Sequence, residues 1–281
     1  MNNLNILLDN ITDKIASFLH TYSIRDVYKT TIFSIIYARL MKIGRSEEYY
    51  GNLRQIVEEL PYILIAFAKR ELYLPMLNLL DEIDRLVYNK FKPVIVEGSA
   101  NIDYIAQWLK MEVGEVDTLL MYDCLSIPEL LTLASYFKFR NMKTFFPSRP
   151  FINPIGLTRF MTAQITEKSY MSILYDVARY LANTLNAKNF VKNSYVDKIV
   201  HSYGEMGVDI FVNKINIEGL LNDMLSMRGD IIIMADHGYD VVESTNDNFL
   251  YIVHGYTKPY MRTNVIVNFS KIALFLFAEV Q

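Results

Sequence analysis

The apolar run at Ile231 to Ala235 stops abruptly at an acid, an imidazole and a glycine: Asp236, His237 and Gly238. A run this apolar and this rich in β-branched residues suits a strand buried on both faces. In an open α/β sheet, ligands sit just outside the carboxyl ends of such strands. A carboxylate beside an imidazole is a reasonable pair of metal ligands, and Gly238 lets the backbone turn away sharply. The same three residues also suit a plain strand-end turn. Other positions repeat the pattern. Asp123 ends the mostly apolar run Val116 to Tyr122, and His254 ends the run Phe249 to Val253 and precedes Gly255. Asp197 and His201 stand at i and i+4, so on a helix both face the same way, either as a grip on one metal or as an ordinary surface pair. Three strand ends thus offer ligands and one helix offers two more. That convergence outweighs any single motif. The fourth histidine, His20, lies in an amphipathic stretch and reads as a packed or surface residue.

The elements that must position these residues change style along the chain. Residues 1–92 read as an all-helical N-terminal segment. Leu4, Leu7, Leu8, Ile11, Ile15 and Leu19 recur at three- and four-residue spacing, and the pattern continues through Ile32 to Met41, Leu53 to Lys69 and Leu72 to Tyr88. Pro61 and Pro75 mark helix starts or kinks, and Glu47, Glu48, Glu58 and Glu59 read as solvated helix faces. This segment suits a helical cap, a docking surface or an oligomerisation element. From residue 93 to 281 strands and helices alternate, which is the unit of a parallel α/β sheet. Strands are expected at Pro93 to Gly98, Val116 to Tyr122, Met142 to Phe146, Asp209 to Val212, Ile231 to Ala235, Phe249 to Val253 and Asn264 to Asn268. Helices are expected at Ile102 to Leu109, Ile127 to Phe137, residues 170–187 and Ile217 to Met227, with Ile272 to Ala278 either helix or strand.

Bulk properties narrow the function classes. Hydrophobic residues make up 52% and charged residues 21% of 281 residues, which describes a globular chain and not a disordered one. The net charge of −3 gives no electrostatic case for wrapping nucleic acid, although a local basic pocket is allowed. Cys124 is the only cysteine, so no internal disulfide forms. The N-terminus shows no basic region before an apolar stretch, and no uncharged apolar run reaches membrane-spanning length. The expectation is a soluble, cytoplasmic protein.

The order of these motifs resembles the alkaline phosphatase superfamily, which includes nucleotide pyrophosphatases, cofactor-independent phosphoglycerate mutases, phosphopentomutases and PglZ domains. The resemblance covers roughly Val116 to Gln281. It rests on Asp123 at the end of a first core strand, a hydroxyl in Gly156-Leu157-Thr158-Arg159, Asp197 followed by His201-Ser202-Tyr203-Gly204, Asp236-His237-Gly238, and a final His254. It implies a mostly parallel sheet flanked by helices, with two divalent ions, Zn²⁺ or Mn²⁺, at the strand ends. Asp197, His201 and His254 would hold one ion and Asp123, Asp236 and His237 the other. Thr158 would be the nucleophile, with Arg159 facing phosphate oxygens or serving as a surface ion-pair partner. Ser148 and Thr162 are nearby hydroxyls, and Glu97 also ends a short strand and competes with Asp123. Many members carry Gly after the first Asp, where this chain has Cys124.

The resemblance therefore implies a metal-dependent phosphohydrolase of phosphodiesterase or nucleotide pyrophosphatase type, acting on a small phosphate ester or nucleotide. The reading from another class is a PglZ-like binding or scaffolding module of a defence system, with residues 1–92 meeting a protein partner or a second copy. A third is a mutase that transfers phosphate without net release.

Overall fold

The structure is a computed structural model that describes residues 3–91, 102–164, 173–255 and 263–281. Five helices come first: α1 (Asn3–Ala16), α2 (Ile24–Lys42), α3 (Gly51–Glu59), α4 (Tyr62–Phe67) and α5 (Tyr73–Phe91), with a π-helical turn at Ala68–Leu72 joining the last two. Leu4, Leu8, Ile11 and Ile15 of α1 are buried, as their spacing predicts. Ser23 caps α2, its hydroxyl accepting from the N–H of Asp26 at 3.1 Å. Helix α2 is buried on nearly every side, so its polar residues must be paired. Lys29 meets Glu59, and Arg39 Nη1 lies 2.7 Å from Asp84 Oδ2.

The second part alternates strand and helix. In order it runs α6 (Ile102–Val113), β1 (Thr118–Tyr122), α7 (Ile127–Phe139), β2 (Thr144–Phe145), β3 (Phe151–Ile152), α8 (Leu174–Thr184), β4 (Asn189–Asn193), α9 (Tyr195–Tyr203), α10 (Val208–Lys214), α11 (Ile217–Leu225), β5 (Gly229–Ala235), β6 (Asp240–Ser244), β7 (Leu250–Val253), β8 (Thr263–Asn268), β9 (Ile272–Ala273) and β10 (Phe275–Val280). The main sheet has the order β2-β10-β5-β1-β4. β1 is parallel to β4 and to β5, whereas β10 is antiparallel to β5 and β2. β6, β7 and β8 form a separate antiparallel sheet, and β3 pairs with β9.

Several expectations change. The sheet is mixed: β1, β2, β4 and β5 run one way and β10 alone runs against them. An apolar run such as Phe275–Val280 encodes burial, but not strand direction. The strand expected at Asp209 to Val212 is helix α10, in which Val208, Phe211 and Val212 are buried at the i, i+3, i+4 spacing of a helix face. Four residues are too few to separate the two periods. The strand expected at Met142 to Phe146 is only Thr144–Phe145, and Ile272 to Ala278 resolves into two strands. Pro93 to Gly98, with Glu97, lies outside the described residues. Among the described residues, no helix is long and apolar enough to cross a membrane.

One apolar core runs from Leu4 to Val280 and takes in both parts of the chain. Polar ties reinforce it. The Asn52 side chain donates to the Leu250 carbonyl at 2.7 Å and accepts from the Leu250 N–H at 3.4 Å, so α3 satisfies the edge of β7 in place of a strand. At the start of α7, Glu129 is completely buried. One carboxylate oxygen receives the hydroxyls of Tyr28 from α2 and Tyr239 from the turn after β5, both at 2.6 Å, and the other receives the Ser126 N–H at 3.1 Å. Burial pushes the Glu129 carboxyl up to about 7, against the pull of the two tyrosine hydroxyls.

A carboxyl raised in the folded state binds more protons there than in the unfolded chain. Its contribution to stability is therefore complete below its ordinary value of 4.5 and falls away as pH rises through about 7. The shift corresponds to at most roughly 3 kcal/mol. Urea unfolding at pH 5 and pH 8 should show a loss of stability in the wild type that is about 1–3 kcal/mol larger than in Glu129→Gln. An equal loss in both proteins would mean that Glu129 is not the titrating group.

Candidate metal centre

The register of the parallel strands brings the first two acids together. Tyr122 of β1 is level with Ala235 of β5, so Asp123 and Asp236 leave adjacent strands at one rim of the sheet. The Asp236 Oδ1 atom accepts the N–H groups of His237 at 3.0 Å and Cys124 at 3.3 Å. Its Oδ2 atom is buried with no hydrogen-bond partner and lies 3.6 Å from His237 Nε2. Asp123 Oδ1 lies 3.7 Å from the same nitrogen. On the far side of the ring, His237 Nδ1 is 2.9 Å from the Gly238 carbonyl. A carbonyl only accepts, so Nδ1 carries a proton, and Nε2 is left facing two carboxylates. Such an arrangement invites a cation, and the hydrogen bond at Nδ1 fixes the ring as an outer-shell partner of a metal ligand does. Gly238 is required by space: a Cβ there would lie 2.7 Å from both the Phe269 carbonyl oxygen and Ser126 Oγ.

A second group forms against the first. Asp197 and His201 sit one turn apart on α9, with His201 Nε2 3.3 Å from Asp197 Oδ1. The β6–β7 hairpin carries the chain back to the rim and presents His254, whose Nε2 is 3.0 Å from the same Asp197 oxygen. His254 is 5% exposed, yet neither ring nitrogen has a hydrogen-bond partner of acceptable geometry. The ring of His254 stands 4.7 Å, centre to centre, from each of His201 and His237, so it bridges the two groups. Gly204 makes this possible. A Cβ at Gly204 would lie 2.2 Å from the Ile252 carbonyl oxygen, so only glycine lets the end of α9 close onto β7.

Within each of the groups Asp123–Asp236–His237 and Asp197–His201–His254, one ligand atom per residue lies within 4.8 Å of the others. Burial pushes the Asp236 carboxyl up; the charge of His237 opposes this and that of Asp123 adds to it. Burial also raises Asp197, but contact with His254 and the charges of the three imidazoles carry it below the usual carboxylate range.

Thr158 joins the first group. Its Oγ1 is 3.3 Å from Asp123 Oδ1 and 3.4 Å from His237 Nε2. The loop that places it is pinned by the buried Asn153, which donates to the carbonyls of Asp236 at 3.0 Å and Leu157 at 2.9 Å and accepts the Gly156 N–H at 2.9 Å. The other two hydroxyls are engaged elsewhere: Ser148 with Glu112, and Thr162 with the backbone carbonyls of Thr158 and Arg159. Arg159 is exposed and takes no part in these contacts. His20 is exposed and packs edge-on against Phe139.

Two neighbours of the site were not singled out by sequence reading. Lys192 on β4 places Nζ 3.1 Å from Asp123 Oδ2 and also reaches Ser194. Asn153 carries no chemical signature of its own. Neither β4, whose residues are only half-buried or exposed, nor a lone Asn offers a periodic signal. No protein-family model matches the chain, and no curated protein matches it.

Gly204→Ala forces the overlap with Ile252 and should separate α9 from β7. The expected result is a stability loss of about 1–3 kcal/mol in chemical unfolding, the usual cost of overpacking. If unfolding is unchanged, the close approach of α9 to β7 is not as described.

Proposed function

We propose that this chain is a metal-dependent phosphoric ester hydrolase with an alkaline phosphatase-like core and Thr158 as nucleophile. The observation that carries the reading is a threonine hydroxyl set against one three-ligand group, Asp123–Asp236–His237, which adjoins a second, Asp197–His201–His254, through the rings of His237 and His254. Buried atoms with no hydrogen-bond partner, Asp236 Oδ2 and His254 Nδ1, fit a bound cation better than they fit a purely structural role. That fit favours the hydrolase over the scaffolding alternative. Asp197, His201 and His254 would hold one divalent ion and Asp123, Asp236 and His237 the other, and this set of imidazoles and carboxylates suits Zn²⁺ or Mn²⁺. When bound, such ions lower the pKa of a neighbouring hydroxyl and offset charge on phosphate oxygens.

The chain's own residues account for the rest. Asn153 fixes the Thr158 loop on the strand end, so the hydroxyl is positioned before substrate arrives. Thr158 Oγ1 attacks phosphorus as its proton leaves for solvent. The bond to the ester oxygen breaks, and the leaving alcohol or phosphate departs in line. Water then cleaves the phosphothreonine, returning the hydroxyl and releasing phosphate or its monoester. Lys192 sits beside Asp123, and the exposed Arg159 is one residue from the nucleophile. Both are close enough in the chain or in space to meet negative charge as it builds on the phosphoryl oxygens.

Asp236→Ala and His237→Ala should reduce hydrolysis of a chromogenic phosphodiester by about 100-fold or more, by loss of ion-held transition-state stabilisation. Thr158→Ala should stop turnover yet leave metal content, read by elemental analysis, near two equivalents. Full activity in either aspartate or histidine variant would refute the centre, and full activity in Thr158→Ala would remove Thr158 as nucleophile.

A further inference from the structure

The only cysteine lies against this centre. Cys124 follows Asp123 directly, is fully buried, and points its Sγ toward the Gly238 carbonyl at 3.4 Å. Its sulfur and one ring nitrogen from each of His237 and His254 all lie within 4.8 Å of one another. His254 supplies a sign of a ligand beyond the cysteine itself: it is 5% exposed, its Nδ1 has no hydrogen-bond partner, and its Nε2 faces an Asp197 oxygen at 3.0 Å. The backbone adds a further point. Cys124 has φ 69°, and among the described residues the other non-glycine positions at positive φ are all asparagines, Asn141, Asn186 and Asn248. Asparagine tolerates that region, whereas cysteine there costs about 1–2 kcal/mol that glycine would not. A thiol is thus held at this spot in a conformation its backbone disfavours.

We propose that Cys124, His237 and His254 form a thiolate–imidazole position that takes a thiophilic divalent ion of the zinc class, and that gives the centre its preference for such an ion over manganese. The inference rests on the two-ion reading above, because His237 and His254 belong to both. Soft thiolate and imidazole ligands select zinc-like ions, whereas carboxylates alone suit manganese, magnesium and calcium. On binding, the S–H bond breaks, a sulfur–metal bond forms and one proton passes to buffer, with no change of oxidation state. The position takes one imidazole from each ligand group, so an ion seated there lies between the two.

Zinc is spectroscopically silent, so Co²⁺ is the probe. Titration of the full chain with Co²⁺ should produce a near-ultraviolet thiolate-to-cobalt charge-transfer band, with release of one proton for the thiol. Because Cys124 is the only cysteine, no other residue can give that band. Cys124→Ser and Cys124→Gly should lack it, and should lose about tenfold or more of the preference for Zn²⁺ over Mn²⁺ in competition titrations. Cys124→Gly also removes the backbone cost, which offsets part of the loss of the buried side chain, and Cys124→Ser keeps the side-chain volume, so each variant checks the other for folding. Cobalt bound without the band overturns the Cys124 position and leaves the two-ion centre standing. No cobalt bound at all overturns both.

Discussion

Two carboxylates at the ends of adjacent parallel strands face one imidazole nitrogen in a buried space, and the rest of the structure has to live with that arrangement. Like charges about 4 Å apart repel by roughly 4 kcal/mol even at an effective dielectric of 20. Asp123 and Asp236 cannot drift apart, because their strands are locked level through Tyr122 and Ala235. His237 cannot turn away, because its Nδ1 is held by the Gly238 carbonyl. The protein offsets the repulsion in part with Lys192 on Asp123 and with backbone N–H groups on Asp236. One oxygen of Asp236 is still left without a partner. If the site takes a cation, as proposed, this arrangement places the ligands beforehand and removes the cost of gathering them later.

Seen from that constraint, the helical N-terminal segment is part of the support. Tyr28 of α2 and Tyr239 of the turn after β5 share one oxygen of Glu129, so the turn that carries His237 and Gly238 is braced from α2. Asn52 of α3 takes the edge of β7, the strand that delivers His254. Each ligand group therefore has a prop from the first part of the chain. A buried carboxylate is a costly prop, and its value lies in geometry: three donors from three elements converge on it and fix where the turn begins.

The residues that gather at the candidate site were legible because their signals are chemical and abrupt. An apolar run that ends in Asp-His-Gly, or in His-Gly, marks a strand end whatever the direction of the strand, and Asp197 and His201 needed only the pitch of a helix. What pattern could not supply was anything set by tertiary choice. Strand direction is absent from an apolar hexamer, so β10 reads the same parallel or antiparallel. Four residues at Asp209 to Val212 satisfy either period, and packing beside Asn52 and α9 decided for the helix. Lys192 was invisible for a different reason. It stands on a half-exposed strand and becomes part of the site only because β4 pairs level with β1, placing it opposite Met121, one residue from Tyr122.

Charge explains why such a site would suit an anion. Asp123, Asp197 and Asp236 contribute three negative charges, and neutral imidazoles contribute none. Under the proposed two-ion reading, the ions bring four positive charges and Lys192 one more, which leaves a surplus of two. A phosphodiester carries one negative charge, and bond-making from an ionised threonine oxygen adds a second as the reaction proceeds. The surplus is thus better matched to the reacting phosphoryl group than to the resting substrate. Binding that strengthens as charge develops is the kind that lowers a barrier. On that reading, losing Lys192 would remove half of the surplus while leaving all six proposed ligands in place, so its charge, and not the ligand set alone, would set how far the site favours the transition state.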